Sequence, residues 1–463
     1  MRRISVIHYI LCSIAPLLLA GCSLYQKYEP VKTVPNDIMG DAADSLVLVV
    51  PTDSLRLAID TISWRVLFAD LQLQQLIDRA LANNTNLQQA ELTVEQAQND
   101  LYAAQLGYLP TLSFDPSGGV RHFNGETLGL LALPLKASWQ VSIFGQVNSR
   151  KRQASAKRAM YKDYRLAVQA SLVANVASTY YRLLMLDRQL EISLQTEKLW
   201  QESLESAVAL FEAGLYQSPA VWQMKASLEE IRISITDLRE DILITESALC
   251  LLLSETPHHI ARATWDEFRI PSSLHVGVPL RLLSARPDVR QAQRKMEAAF
   301  YETQQAHQSF YPNITISGTL GWSNDNGVVN PAKMLTEALA SLTQPLFAGG
   351  KIRARYRNAQ LEQQKARLEF EQTLLRAGNE VYQHLHAFKK SQERVQHITE
   401  QVLALNEARE ATYELMNNGT NTYLEVVAST MSLHSAQISE VKNRYDAILA
   451  LINLYTALGG FQR

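Results

Sequence analysis

The sharpest chemical feature of this 463-residue chain lies at its start. Arg2 and Arg3 lead into an apolar stretch from Ile4 to Leu18, followed by Leu19-Ala20-Gly21-Cys22. A charged start, a short apolar core and small residues before a cut make a secretory signal. A cysteine directly after the small residues is the pattern of a bacterial lipobox. Cleavage before Cys22 then leaves its sulfur to carry a diacylglycerol. The plainer alternative is an ordinary signal peptide with a chance cysteine. Ser23 follows, where an Asp would be the familiar inner-membrane retention signal, so the outer membrane is favoured. Of the three cysteines, Cys12 leaves with the signal and Cys22 is lipidated. Cys250 alone remains, which excludes an intramolecular disulfide. It sits in an apolar helical run and reads as a small core residue rather than a nucleophile.

Other reactive side chains form no such pattern. His258-His259 follow Pro257 without a Cys or carboxylate cluster at recognisable spacing, and a metal site needs three or four ligands. They read as solvated loop histidines, and His384 and His386 are similarly isolated. The nine methionines are scattered. Met224 and Met431 fall on helical seams and read as core. There is no phosphate-binding Gly-x4-Gly-Lys-Ser/Thr loop and no Gly-x-Ser-x-Gly elbow. The expectation is a chain that is not an enzyme and carries no cofactor or metal. A formal net charge of −2 with 19% charged residues leaves no basic footprint for nucleic acid. Lys151, Arg152, Lys157 and Arg158 do cluster, as do Arg353, Arg355 and Arg357. Each cluster follows a predicted hairpin, so contact with acidic lipid headgroups is favoured over plain solvated helix.

The elements behind these residues are written twice. Residues 86–112 and 288–314 align without a gap, Leu109-Pro110-Thr111-Leu112 matching Tyr311-Pro312-Asn313-Ile314. Ile143-Phe144-Gly145 matches Leu346-Phe347-Ala348, and Glu212-Ala213-Gly214 matches Asn417-Asn418-Gly419. The spacing stays near 202 to 205 residues. Two copies are too few for a solenoid. A duplicated helix–hairpin–helix unit is the simpler reading.

In copy one, about 71–108 reads as helix, rich in Ala, Leu, Gln and Glu, until Pro110 stops it. The period then becomes two. Leu131, Leu133, Leu135, Ala137, Trp139, Val141 and Ile143 alternate with Ala132, Pro134, Lys136, Ser138, Gln140 and Ser142. In copy two, Ile314, Ile316, Gly318, Leu320 and Trp322 alternate with polar or small residues. Such alternation marks strands with one apolar and one polar face. Turns are expected near Asn124-Gly125 and within 324–330. About 146–213 and 351–416 then run as helix, each on the order of 100 Å at about 1.5 Å per residue. Turns at 214–219 and 417–421 lead into return helices. Val221, Met224, Leu228, Ile231, Ile235, Leu238 and Ile242 are spaced 3-4-3-4-3-4, and Leu424 to Tyr455 keep that rhythm, a coiled-coil seam.

The expected division is 1–21 signal, 22–70 extended anchored segment, 71–255 first repeat, 256–284 linker and 285–460 second repeat. The hairpins are expected at about 110–145 and 312–348. Beyond the signal no apolar run reaches the roughly 20 residues of a spanning helix. Four strands do not close a barrel, and an open edge in lipid is prohibitive. The strands must therefore meet between copies. The fold class is α+β, mainly α: a membrane protein with a shared oligomeric β-barrel and a long periplasmic helical barrel.

The chain resembles the TolC-type outer membrane efflux family, most closely its lipoprotein branch, over nearly the whole mature length. Its opening pattern is carried by Trp64, Phe68, Asp70, Leu73, Leu76, Ile77, Ala80, Leu81, Asn84, Leu87 and Ala90. Arg286-Pro287-Asp288-Val289 with Ala292, Phe310-Tyr311-Pro312, and Gln344-Pro345-Leu346-Phe347 with Gly349-Gly350 also match. The resemblance implies a homotrimer, a passive duct for small molecules such as drugs, joined to a periplasmic adaptor and an inner-membrane pump. It implies adaptor contacts at the tips, Gly214 and Gln217 in one copy and Asn417, Asn418 and Gly419 in the other. The family's acidic gate position is Ala428 here, which leaves Glu425 as the gate acid. A helix-start carboxylate with no gating role remains the alternative. A type I protein-secretion duct and a coiled-coil scaffold lipoprotein without a bore also remain open.

Overall fold

The computed structural model describes residues 27–29, 63–214, 217–265, 286–324, 334–417 and 423–460. Its helices are α1 (Trp64–Leu67), α2 (Leu71–Asn83), α3 (Thr85–Leu106), α4 (Gln146–Glu212), α5 (Ser218–Leu252), α6 (Pro287–Gln308), α7 (Lys351–Asn417) and α8 (Tyr423–Ala457). The strands are β1 (Thr111–Phe114), β2 (Ser117–Phe123), β3 (Glu126–Val141), β4 (Asn313–Asn324) and β5 (Met334–Thr343). The chain groups into two compact units. One holds the sheet with the adjoining parts of α3, α4, α6 and α7, and the other holds the remaining helix. Cys22, Asn418, Gly419 and the second hairpin turn lie outside the described residues.

The single expected helix at 71–108 is two helices. Asp70 starts α2 by accepting from the N–H groups of Gln72 at 2.8 Å and Leu73 at 3.3 Å. Asn84 then leaves helical geometry, with ψ 122°, and ends it. Its side-chain oxygen accepts from the Leu87 N–H at 3.1 Å and so caps α3. Its amide donates to the Leu252 carbonyl at 2.9 Å, one of the orphan acceptors at the end of α5. In copy two the same place in the repeat belongs to Arg286. Its guanidinium donates to the Ala457 carbonyl, at the end of α8, at 3.1 Å. It also pairs with Asp288 at 2.7 Å and Glu380 at 2.6 Å. One joint is made twice, once with a neutral amide and once with a buried cation.

The sheet is antiparallel throughout, in the order β1-β3-β4-β5, with β2 also on β3. β1 and β2 are one edge strand interrupted at Asp115-Pro116. The interruption faces Leu133-Pro134, where β3 offers no proline N–H. The first turn has two residues, since Phe123 pairs with Glu126. Asn124 and Gly125 both take positive φ, 50° and 83°, as the tight hairpin turn requires. β3 joins β4, and Leu133 faces Trp322, Leu135 faces Leu320 and Trp139 faces Ile316. Apart from Leu335 and Leu339 of β5, which fall on the other, most apolar positions of the strands thus share one face. Leu112, Phe114, Val120, Leu135, Trp139, Ile316, Leu320, Trp322, Met334 and Leu342 are all exposed on it. The opposite face carries Ser113, Lys136, Ser138, Gln140, Thr315, Ser317 and Thr319. The outer edges, β1/β2 and β5, pair with no further strand among the described residues.

In the same unit the helices meet through small side chains. Ala97 and Ala104 of α3, Ala156 of α4, Ala306 of α6 and Ala359 of α7 are buried. The other unit has a larger-grained core. Phe68, Leu73, Ile77, Tyr180, Tyr181, Leu183 and Leu184 are all but inaccessible there. Met224, Leu228, Ile231 and Ile235 of α5 form one seam cluster with Trp200 and Ala207 of α4 and Val427 of α8, with Met431 packed against it.

Gly321 is held by this pairing. A Cβ there would lie 2.3 Å from the Leu133 carbonyl oxygen and 2.7 Å from the Pro134 Cα. Gly119, its counterpart in the repeat, has open space around it. Gly321→Val is expected to abolish most of the heat-modifiable oligomer seen by gel electrophoresis, whereas Gly119→Val leaves it. At the joints, Arg286→Ala strips its partners of their shared cation. It should cost about 2–4 kcal/mol, since those carboxylates are partly open to water. Asn84→Ala should cost about 1–2 kcal/mol. Thermal melts of the two variants check the order.

Candidate functional site

The tips are built from helix ends. α4 stops at Glu212, and Gly214 takes φ 76° with its N–H on the Phe211 carbonyl at 2.9 Å. Gln217 precedes α5 in extended geometry with no side-chain cap, and Pro219 sits in the first turn. Both Gly214 and Gln217 are exposed. In copy two, α7 runs to Asn417 and α8 begins at Tyr423. Glu425 is exposed in the first turn of α8, at the positive end of the helix dipole. The described residues bring Glu425 together with none of the other tip candidates.

The residues behind Glu425 are packed. Val426 and Val427 wall a cavity of about 630 Å³ beside the last turns of α4 and α7. Its floor holds Trp200 and Ala207, and its rim holds Glu202, Arg409, Glu410 and Glu414. The indole N–H of Trp200 is buried without a hydrogen-bond partner. Nothing in the sequence marks this site. Trp200 lies in a long helix without a motif, and the cavity joins three helix segments far apart in the chain.

Further along the seam, His434 of α8 meets Ser193 of α4, Nε2 to Oγ at 3.1 Å. Gln189 donates to the Ile438 carbonyl at 3.1 Å, so two polar bonds tie α8 to α4. Burial pushes the His434 imidazole below its ordinary value, with Glu230 pulling the other way. His384 is lowered likewise, by burial first, with Glu380 opposing.

His258 and His259 are exposed, as a loop with solvated histidines would have them, but the segment that carries them is also clamped. Arg262 is nearly buried between the carboxylates of Asp187 on α4 and Glu246 on α5. Glu246 also accepts from the Ile260 N–H at 3.3 Å and meets His259 Nδ1 at 2.9 Å. Burial pushes the Glu246 carboxyl up, but its bonds to Arg262 and Ile260 outweigh this and hold it below the usual range. His258 lies 3.5 Å from the Cys250 sulfur and 3.6 Å from Glu255. Cys250 itself is fully buried. The groups that make this clamp are 16 and 75 residues apart, which no local pattern signals.

At the foot of the sheet the chain places aromatic and basic side chains side by side. Phe144 stacks on Tyr311 at 5.2 Å. His307 meets Tyr311 at 5.7 Å and Tyr356 at 5.3 Å, and Phe310 meets Tyr356 at 5.8 Å. Trp139 donates to the Tyr108 carbonyl at 2.9 Å. Lys151 sits 6.0 Å over the Tyr108 ring and Arg152 sits 6.0 Å over Tyr301. Lys157, Arg353, Arg355 and Arg357 are exposed, and Arg158 is partly buried. An aromatic girdle bordered by cations beside an apolar sheet face is the pattern of a membrane–water boundary. No helix among the described residues is long and apolar enough to cross a membrane.

These features define a β-strand membrane protein with a long helical extension. The model of the outer membrane efflux protein family matches residues 76–255 and 278–460, and the chain belongs to that family. The cation efflux system protein CusC of Escherichia coli O6:H1 is 27% identical, over 97% of this chain and 98% of that protein. The probable outer membrane lipoprotein SilC of Salmonella typhimurium is 26% identical, over 96% of each chain. Among solved structures, the outer-membrane channel OprN superposes with a TM-score of 0.85 at 22% identity, covering 95% of this chain and 99% of that one. The protein is thus an outer membrane efflux protein.

The His434 contact sets a pH dependence. A ring kept neutral in the folded state contributes stability above the unfolded value of about 6.5, and that stability is lost as pH falls through it. Thermal melts should drop between pH 7 and pH 5. His434→Gln, which keeps a partner for Ser193, should flatten that drop without abolishing it, since His384 shifts in the same direction.

Proposed function

We propose that three copies of this chain form the outer-membrane duct of a tripartite efflux system. The observation that carries this reading is the sheet: one largely apolar face exposed, one largely polar face, and two outer edges without a partner strand among the described residues. Closed with its copies, such a sheet meets lipid outside and water inside. Twelve strands from three copies close a barrel, as eight from two also would, and the family resemblance favours three. Transport is passive in this subunit. A periplasmic adaptor docks at the tips formed by Gly214, Gln217, Asn417, Asn418 and Gly419, and an inner-membrane pump supplies the energy. Small molecules are the cargo, with selectivity held by the pump. A scaffold without a bore has no use for the apolar sheet face.

Glu425 is the gate acid. Carboxylates crowded at a narrow mouth repel each other and attract cations. Cys22 is the lipid-bearing residue. Tyr28, six residues further on, packs against Phe300 of α6 at 5.7 Å.

Purified protein in planar bilayers should conduct, and Glu425→Gln should raise conductance roughly threefold and weaken cation preference. No pore in either form would sink the duct. Cys22→Ser should lose all incorporation of labelled palmitate. A photo-crosslinker at Asn417 should capture a periplasmic adaptor, and capture of peptidoglycan-bound proteins alone would favour a scaffold.

A further inference from the structure

The end of the second hairpin carries an apolar pair that the chain itself leaves uncovered. Leu346 and Phe347 are 95% and 90% exposed, between the end of β5 and the start of α7. Their counterparts in the repeat are Ile143 and Phe144, between β3 and α4. There the aromatic ring is covered. Phe144 stacks on Tyr311 at 5.2 Å with the planes 26° apart. Tyr311 stands two residues ahead of β4, the strand that pairs with β3. The contact therefore comes with the joining of the first repeat to the second.

The second repeat has no third repeat to join. Its outer strand β5 faces an open edge, and so does the β1/β2 strand of the first repeat. The residue matching Tyr311 in the first repeat is Leu109, two residues ahead of β1, with Tyr108 beside it. Both are uncovered, Leu109 by 59% and Tyr108 by 44%. Within one chain, then, an aromatic finger and its seat are both left open, at opposite edges of one sheet.

We propose that Leu346 and Phe347 of one chain seat on Tyr108 and Leu109 of a second copy, repeating between subunits the contact that Phe144 makes with Tyr311 inside the chain. The occupant is another copy of this chain, because the internal repeat already shows the contact filled by the next repeat in line. An isolated exposed Phe calls for no partner, but a Phe whose repeat counterpart is stacked, at an unpaired strand edge, does. The contact lies where the strands give way to helices, so it sets the register at which two edges meet. Lys151, 6.0 Å over the Tyr108 ring, borders the seat and leaves the apolar finger to fill the remaining face.

This inference rests on the shared-barrel reading, and the test separates the two. Two differently tagged full-length chains are co-expressed, one with Phe347→Cys and one with Leu109→Cys, and oxidised in membranes with copper phenanthroline. A disulfide-linked heterodimer is expected, absent with either cysteine alone. The pair Phe347→Cys with Val120→Cys, far up the same edge, is expected to give none. A heat-modifiable, conducting oligomer without the Phe347–Leu109 product overturns the contact and leaves the duct standing. Equal linkage to Val120 also overturns it. Failure to form any oligomer overturns both. As a second readout, Phe347→Ala is expected to lower the temperature at which the oligomer dissociates in detergent, while Phe347→Trp retains it.

Discussion

A peptide group in hydrocarbon must find its hydrogen-bond partner within the protein, because no water is there to supply one. Everything distinctive about this chain answers that requirement. Among the described residues, its antiparallel sheet satisfies the inner strands and leaves two outer edges open. The exposed apolar face is unsuited to water, and the unpaired edges are unsuited to lipid. The proposed closure with further copies would resolve both faults at once. Pro134 shows how tightly this is managed. It sits in the central strand β3, where a proline is costly. The sequence breaks the neighbouring edge strand at Asp115-Pro116 and thins the other neighbour to Gly321, so the proline is accommodated on both sides.

The helical part solves a different problem. A 67-residue helix has too much surface to bury in one compact core. It is fastened at intervals instead. Near the sheet, alanines allow close backbone approach. Beyond, Leu, Ile, Met and Trp form the seam with the return helices. The ends of α5 and α8 are each held by a side chain from just before the next inward helix, Asn84 and Arg286. The repeat keeps the geometry of the joint while changing its chemistry. The charged version links three elements, where the neutral version links a carbonyl and a cap.

Buried charge is spent at points of junction. Arg262 ties the segment after α5 to both α4 and α5 through Asp187 and Glu246. Such a triad adds little net stability over apolar packing, because desolvation offsets the attraction. Its value here is positional: the carboxylates accept only a cation at that one place. The tip differs. Behind the exposed Glu425, Val426 and Val427 border a cavity beside Trp200, whose buried indole N–H has no hydrogen-bond partner.

Much of this was legible in the residues alone. The period of two in β3 and β4, the long runs without Pro and, apart from Gly378, without Gly, and the repeat at a near-constant spacing are local signals, so they marked most elements and their duplication. The need for several copies followed from counting strands. The strands' apolar faces, the hairpin turn at Asn124-Gly125 and the buried Met224 lie where periodicity placed them. The break at Asn84 was not legible, because the residue acts through a carbonyl 168 positions away. His259 is exposed as expected, but its contact with Glu246 was not legible, since the carboxylate lies 13 residues back on the preceding helix. The cavity at Trp200, the Arg262 clamp and the crowding of Gly321 by Pro134 were likewise invisible. The sequence by itself determined which segments are helix and which are strand, because those depend on neighbours a few residues apart. Only the tertiary structure decided which polar groups are satisfied and by whom, because hydrogen bonds and close contacts depend on distances in space that chain spacing does not encode.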